Sequence, residues 1–185
     1  MIRTIGFIAA LLGLGALAIA QTTPDTSVTV LMKTSKGDIT IQVYPDKAPV
    51  TVKNFLSYVD AKFYDGTIFH RVIRGFMIQG GGLTPDFVEK PAKAPIKNES
   101  GNGLINARGT IAMARMQDLN SATNQFYINT VANSNLDRMK YCVFGRVVAG
   151  LDVVDAIEAM PTGTVKGYAD APRQVVTIQS ITRVR

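Results

Sequence analysis

The constraint that most limits this chain is the repeated alternation of apolar and polar residues in short runs separated by turns. Val28, Val30 and Met32 alternate with Thr29, Leu31 and Lys33, and Ile39, Ile41 and Val43 alternate with Thr40, Gln42 and Tyr44. Side chains on a strand alternate between faces, so each run presents one apolar face to a core. Ser35-Lys36-Gly37-Asp38 between them is a turn signal, which makes the pair an antiparallel hairpin. Further β-like runs span Thr67 to Ile73, Phe76 to Gln79, Thr110 to Ala114, Gln125 to Ile128, Tyr141 to Val148 and Val175 to Val184. Only two segments carry helical spacing. Val52, Phe55, Leu56 and Val59 recur at i, i+3, i+4 and i+7, after a Pro49 suited to a first helical turn. A second helix is expected from about Leu151 to Ala159, with Pro161 as its stop. Many short strands and two helices predict a mainly β fold, a closed antiparallel barrel capped by two α-helices.

The spans Gly80 to Gly109, Met116 to Thr123 and Gly163 to Arg173 read as loops, and long loops on a rigid barrel are where a binding surface is expected. At 185 residues the chain suits one domain with a real core. There is no internal repeat. Twenty Lys and Arg against fourteen Asp and Glu give a formal charge of +6. The basic residues are scattered, with no stripe interleaved with aromatics, so nucleic acid is not an expected partner. One His and one Cys cannot build a zinc site, and no metal or cofactor is expected. Cys142 cannot pair within the chain, and its neighbours Tyr141, Val143 and Phe144 predict a buried thiol.

The first twenty residues read as a signal peptide. Arg3 supplies the positive start, Ile5 to Ala20 is apolar apart from glycines, and Ala18-Ile19-Ala20 is a small-x-small cleavage site. The apolar run is short for a bilayer span of roughly twenty residues. A periplasmic or secreted protein starting near Gln21 is expected, with residues 21–27 a flexible leader, residues 28–185 the folded domain and no stable membrane insertion. A single small domain predicts a monomer.

The segment Phe69-His70-Arg71-Val72-Ile73-Arg74-Gly75-Phe76-Met77-Ile78-Gln79-Gly80-Gly81-Gly82 carries the chemistry. Arg71 and Gln79 can face one side only if the chain bends between them, and Gly75 permits the bend. A cation, an amide and apolar side chains around one shallow site suit a ligand apolar in its ring and polar in its backbone, such as an X-Pro peptide.

This segment resembles the cyclophilin family of peptidyl-prolyl cis-trans isomerases. The resemblance continues in Gly109-Thr110-Ile111-Ala112-Met113-Ala114-Arg115, in Ser121-Ala122-Thr123-Asn124-Gln125-Phe126-Tyr127-Ile128-Asn129 and in Val143-Phe144-Gly145-Arg146-Val147-Val148. It implies an eight-stranded barrel and an isomerase acting on proline-containing peptides and unfolded polypeptides. By the same resemblance Arg71 is the catalytic arginine and Gln79 the residue that orients it and the substrate backbone. Phe76 and Met77 then line the proline pocket, Ala114 and Arg115 meet the residue before proline, Gln125 is a second site glutamine, Tyr127 is the pocket floor and Leu136 a wall. Several positions depart from the pattern. Tyr127 stands where Phe is usual, so its hydroxyl needs a partner if buried. Asn135 stands where many members carry an aromatic at the rim, Gly82 where an acidic residue is usual, and Arg74 where Pro is usual. The changes at Tyr127 and Asn135 leave open an alternative, a catalytically weak chaperone or proline-peptide binding module. His70 invites an acid–base reading, but amide rotation transfers no proton. A structural, hydrogen-bonded His70, pointing opposite to Arg71 along the strand, is expected.

Overall fold

The computed structural model describes residues 26–184. The signal peptide and most of the leader expected from the sequence lie outside the described residues. Ten strands and three helices follow in order: β1 (Val28–Thr34), β2 (Gly37–Val43), α1 (Pro49–Asp60), β3 (Thr67–Ile73), β4 (Met77–Gly80), β5 (Thr110–Met113), β6 (Phe126–Asn129), α2 (Ser134–Arg138), β7 (Val143–Ala149), α3 (Leu151–Glu158), β8 (Thr162–Val165), β9 (Tyr168–Pro172) and β10 (Thr177–Arg183). Eight strands close a barrel in the order β1-β10-β3-β4-β6-β5-β7-β2, antiparallel at every pairing. Closure leaves no free sheet edge in the barrel.

The predicted alternation governs which side chains fill it. Val30, Met32, Ile39, Ile41 and Val43 are fully buried, as are Ile78, Ile111, Phe126, Ile128 and Phe144 from the other strands. Helix α1 contributes Val52, Phe55, Leu56 and Val59 to the same core. The Phe55 ring lies 5.2 Å from that of Phe144, 5.5 Å from Tyr64 and 5.9 Å from Phe126. A fully buried Phe is worth roughly 2–3 kcal/mol against an exposed one, so this contact set anchors α1. Pro49 sits in the first turn as expected. No side chain adjacent to α1 caps it. Glu99 does so from a distant loop, accepting the Val50 and Thr51 N–H groups at 3.0 and 2.8 Å and the Thr51 hydroxyl at 2.8 Å.

Three sequence expectations need correction. Among the described residues there are three helices rather than two, since α2 is five residues long and too short to show a periodic pattern. The span Gly163 to Arg173 is not a loop but holds the β8–β9 hairpin, a separate two-stranded sheet. Its turn is made by Lys166 and Gly167, both with positive φ, a hairpin chemistry that the sequence reading overlooked. His70 does not point opposite to Arg71. The β3–β4 register shifts between Phe69 and Arg71, a bulge that keeps both Phe69 and Val72 in the core. Residues three apart share the inner face there, so His70 and Arg71 both lie outside it.

Candidate active site

The bulge turns Arg71 outward on β3, and antiparallel pairing places Gln79 of β4 directly opposite it. The expected bend is the tight turn between these strands, where Gly75 takes φ +69°. The row continues across the sheet: Gln79 pairs with Tyr127, Tyr127 with Ala112, and Ala112 with Val143. Five strands thus place Arg71, Gln79, Tyr127, Ala112 and Val143 in register. Beside this row, Met77, Tyr127 and Leu136 are buried in a second apolar cluster, with Phe76, Ala114 and Tyr141 packed against it.

These side chains enclose a cleft of about 290 Å³ lined by Arg71, Phe76, Met77, Gln79, Ala114, Arg115, Tyr127, Leu136 and Tyr141. Eight of the nine residues expected from the sequence therefore meet in one cleft. The ninth, Gln125, lines an adjoining cavity of about 150 Å³ that shares Gln79, Ala114 and Arg115. It is tied to the cleft by a hydrogen bond from Gln79 Nε2 to Gln125 Oε1 at 2.9 Å. Gly82 makes room for it, because a Cβ there would stand 2.5 Å from Gln125 Cγ. The loop before Gln125 is held by donors from the α1 region, Asn54 to the Thr123 carbonyl at 2.6 Å and Tyr64 to the Asn124 carbonyl at 2.9 Å.

Tyr127 satisfies its hydroxyl by donating to Asn106 Oδ1 at 2.8 Å. Burial pushes its ionisation far above the ordinary tyrosine range, so it remains a neutral floor. Asn106 belongs to a buried amide network. Asn129 Nδ2 donates to it at 3.1 Å, Asn133 Nδ2 donates to Asn129 Oδ1 at 2.7 Å and to the Phe76 carbonyl at 2.8 Å, and Asn106 itself donates to Asp137 of α2. This network joins the floor at Tyr127 to the backbone of Phe76 and to the helix carrying Leu136. Sequence reading missed it, because isolated Asn residues in loops have no periodic signature. It also missed Tyr141 as a wall. The Arg115 guanidinium stacks over the Tyr141 ring at 4.3 Å and donates to the carbonyls of Met116, Gln117 and Met139. Arg115 is thus a clamp between two loops as well as a wall.

Arg71 makes one ion pair among the described residues, from Nε to Asp170 Oδ2 of β9 at 3.7 Å. No side-chain hydrogen bond joins Arg71 to Gln79 among the described residues. His70 is buried, with its ring 6.3 Å from that of Tyr168 and its Nδ1 unpartnered among the described residues. Burial holds its pKa down to about 4, and the neighbouring Arg71 charge adds to the effect, while a backbone hydrogen bond at Ile68 opposes it. His70 is therefore neutral near pH 7. Cys142 is buried as expected, and burial raises its thiol above the ordinary value. No group of His, Cys, Asp and Glu among the described residues could hold a metal ion.

The family model for cyclophilin type peptidyl-prolyl cis-trans isomerases matches residues 29–183. The chain is 52% identical over 160 residues to peptidyl-prolyl cis-trans isomerase B of Escherichia coli, covering 83% of this chain and 98% of that one. It is 52% identical over 156 residues to a peptidyl-prolyl cis-trans isomerase of Acinetobacter baylyi, covering 82% and 83%. A cyclophilin type isomerase of Cryptosporidium parvum superposes with a TM-score of 0.77 at 26% identity, over 86% of this chain and 98% of that one. The same isomerase in the presence of the dipeptide Ala-Pro gives 0.75 at 27% identity, over 85% and 99%. The chain belongs to the cyclophilin family, and it is a peptidyl-prolyl cis-trans isomerase.

Proposed function

We propose that the cleft holds the proline ring of an X-Pro segment and that Arg71 lowers the barrier to rotation about the preceding amide. The barrier is ~18–20 kcal/mol, while cis and trans differ by only about 0.5–1 kcal/mol. Conjugation of the nitrogen lone pair with the carbonyl is what resists rotation. Twisting the amide breaks that conjugation, makes the prolyl nitrogen pyramidal and gives it a lone pair able to accept a hydrogen bond. A donor that meets this nitrogen only in the twisted form favours the transition state over both planar forms. Arg71 supplies such a donor without gaining or losing a proton. Phe76, Met77, Leu136 and Tyr127 provide apolar surface for the ring, and Gln79 and Gln125 provide amides for the peptide backbone. No covalent intermediate and no cofactor enters the scheme.

The observation that carries this reading is the direct pairing of Arg71 with Gln79 in the wall of a cleft that Phe76, Met77 and Leu136 also line. The Cryptosporidium parvum relative studied with Ala-Pro supports a proline-containing ligand. The amino-terminal signal pattern points to unfolded or exported polypeptides as clients, in the periplasm or outside the cell, served by a monomer. Mass spectrometry of the mature protein is expected to show a chain starting at Gln21. An intact Met1 in the exported fraction would remove the export reading.

The deciding experiment is an NMR exchange assay on an Ala-Pro peptide with the wild type and Arg71→Ala. The variant is expected to keep its Tm and lose turnover by about a hundredfold or more, the scale of removing one preorganised donor. Equal rates in the two proteins would eliminate the role given to Arg71.

A further inference from the structure

The β8–β9 hairpin lines no part of the cleft, yet it reaches the cleft's arginine through Asp170. It lies against the outer side of β3. Ile68, Leu83, Phe87 and Ala171 form a small core of their own there, with Val165 and Tyr168 packed on it. Ala171 is fully buried, which fixes the backbone of β9 at that point. The residue before it, Asp170, takes φ +58°, a left-handed conformation uncommon outside glycine. The Asp170 carboxylate meets Arg71 at Nε. The two terminal nitrogens of Arg71 make no hydrogen bond or ion pair among the described residues. An Arg side chain has several rotatable bonds, and a contact at Nε restricts them while leaving the terminal nitrogens for a ligand.

We propose that Asp170 is a positioning residue for Arg71: the accessory hairpin sets the direction in which the guanidinium enters the cleft. This inference rests on the reading of Arg71 as the group that meets the prolyl nitrogen. The side chains of Arg71 and Asp170 are 43% and 45% exposed, and ion pairs this exposed add little to folding stability. The pair therefore affects rate far more than Tm.

The test uses the full chain with Asp170→Ala, Asp170→Asn, Arg71→Ala and the double variant Asp170→Ala/Arg71→Ala. An exchange assay on an Ala-Pro peptide gives kcat and KM, thermal unfolding gives Tm, and the ¹⁵N signal of Arg71 Nε reports its surroundings. Asp170→Ala is expected to lower kcat on the order of tenfold, as a small misplacement of a reacting group does. KM stays within error and the Nε signal moves, while Tm falls by a few degrees at most, because alanine is less at ease than aspartate in the left-handed conformation. Asp170→Asn tolerates the left-handed backbone and keeps an oxygen acceptor, so it recovers part of the rate. It also carries the test if the alanine variant fails to fold. The double variant is expected to be no slower than Arg71→Ala alone. Wild-type kcat in both Asp170 variants beside an impaired Arg71→Ala overturns this inference and leaves the Arg71 reading intact. A fully active Arg71→Ala removes both. A further loss in the double variant assigns Asp170 a different role and overturns the proposal.

Discussion

At the scale of single residues, the lone histidine and the floor tyrosine show how environment overrides type. His70 is the one side chain whose ordinary titration falls near neutrality, yet burial keeps it uncharged to about pH 4. Between pH 6.5 and 4 the unfolded chain binds a proton there and the native chain does not. Stability therefore falls as pH drops through that window, by up to about 3 kcal/mol from this group, and His70 adds no further loss below it. Urea unfolding at pH 7 and pH 4 is expected to show a smaller acid loss in His70→Gln than in the wild type, and identical losses would contradict this account. Tyr127 stays protonated and donates a hydrogen bond to Asn106 Oδ1. Tyr127→Phe removes one buried hydrogen bond, while Asn129 still satisfies the Asn106 oxygen. The expected cost is about 1 kcal/mol in thermal unfolding, with turnover changed less than threefold. A loss of turnover like that of Arg71→Ala would mean the hydroxyl takes part in the reaction. Arg71, Gln79, Phe76 and Met77 were named in the sequence by family resemblance, and a short hairpin keeps these local neighbours together. Asp170 and Asn106 were not, since each reaches the site only through long-range folding.

At the scale of elements, the strands and long helices were read within a residue or two because their apolar spacing is regular. What failed was short or irregular. Helix α2 offers only Leu136 as an inward residue. The bulge in β3 breaks the parity rule from which the orientation of His70 was inferred. The β8–β9 hairpin lacks a regular apolar alternation that would mark it. Helix α1 shows another limit, because its amino-terminal cap comes from Glu99, whose distance in sequence hides the relation. A carboxylate at a helix start satisfies free N–H groups and opposes the helix dipole. Glu99→Ala is expected to cost about 1–2 kcal/mol, lowering Tm by several degrees. Glu99→Gln, which keeps an acceptor, is expected to lose less. If Tm by circular dichroism is unchanged in the alanine variant, the cap is idle. The same loop contains Asn98, whose side-chain amide donates to the carbonyls of Leu119 and Lys140. Asn98 thus ties the capping loop to two other segments of the chain.

At the scale of the whole molecule, the barrel joins the start of the described chain to its end. Strand β1 pairs with β2 on one side and with β10 on the other, Val30 opposite Arg183 and Met32 opposite Ile181. Strand β10 also pairs with β3, whose outer face carries Arg71. The eight-strand count came from resemblance, since alternation identifies strands but not which ones meet. The closing strand supplies Ile178 and Ile181 to the core, both buried. Removing it would expose the edges of β1 and β3 and open that core to water. The two isoleucines alone are worth roughly 3–6 kcal/mol, and with the pairing to β1 and β3 also lost, the whole draws on a margin of only about 5–15 kcal/mol. A chain ending at Val176 is therefore expected to show no cooperative thermal transition and no isomerase activity, although every cleft residue is still present. Adding residues 177–185 as a separate peptide is expected to restore part of both by refilling the gap in the sheet. A truncated chain that melts cooperatively near the wild-type Tm would show that β10 covers the barrel rather than closes it.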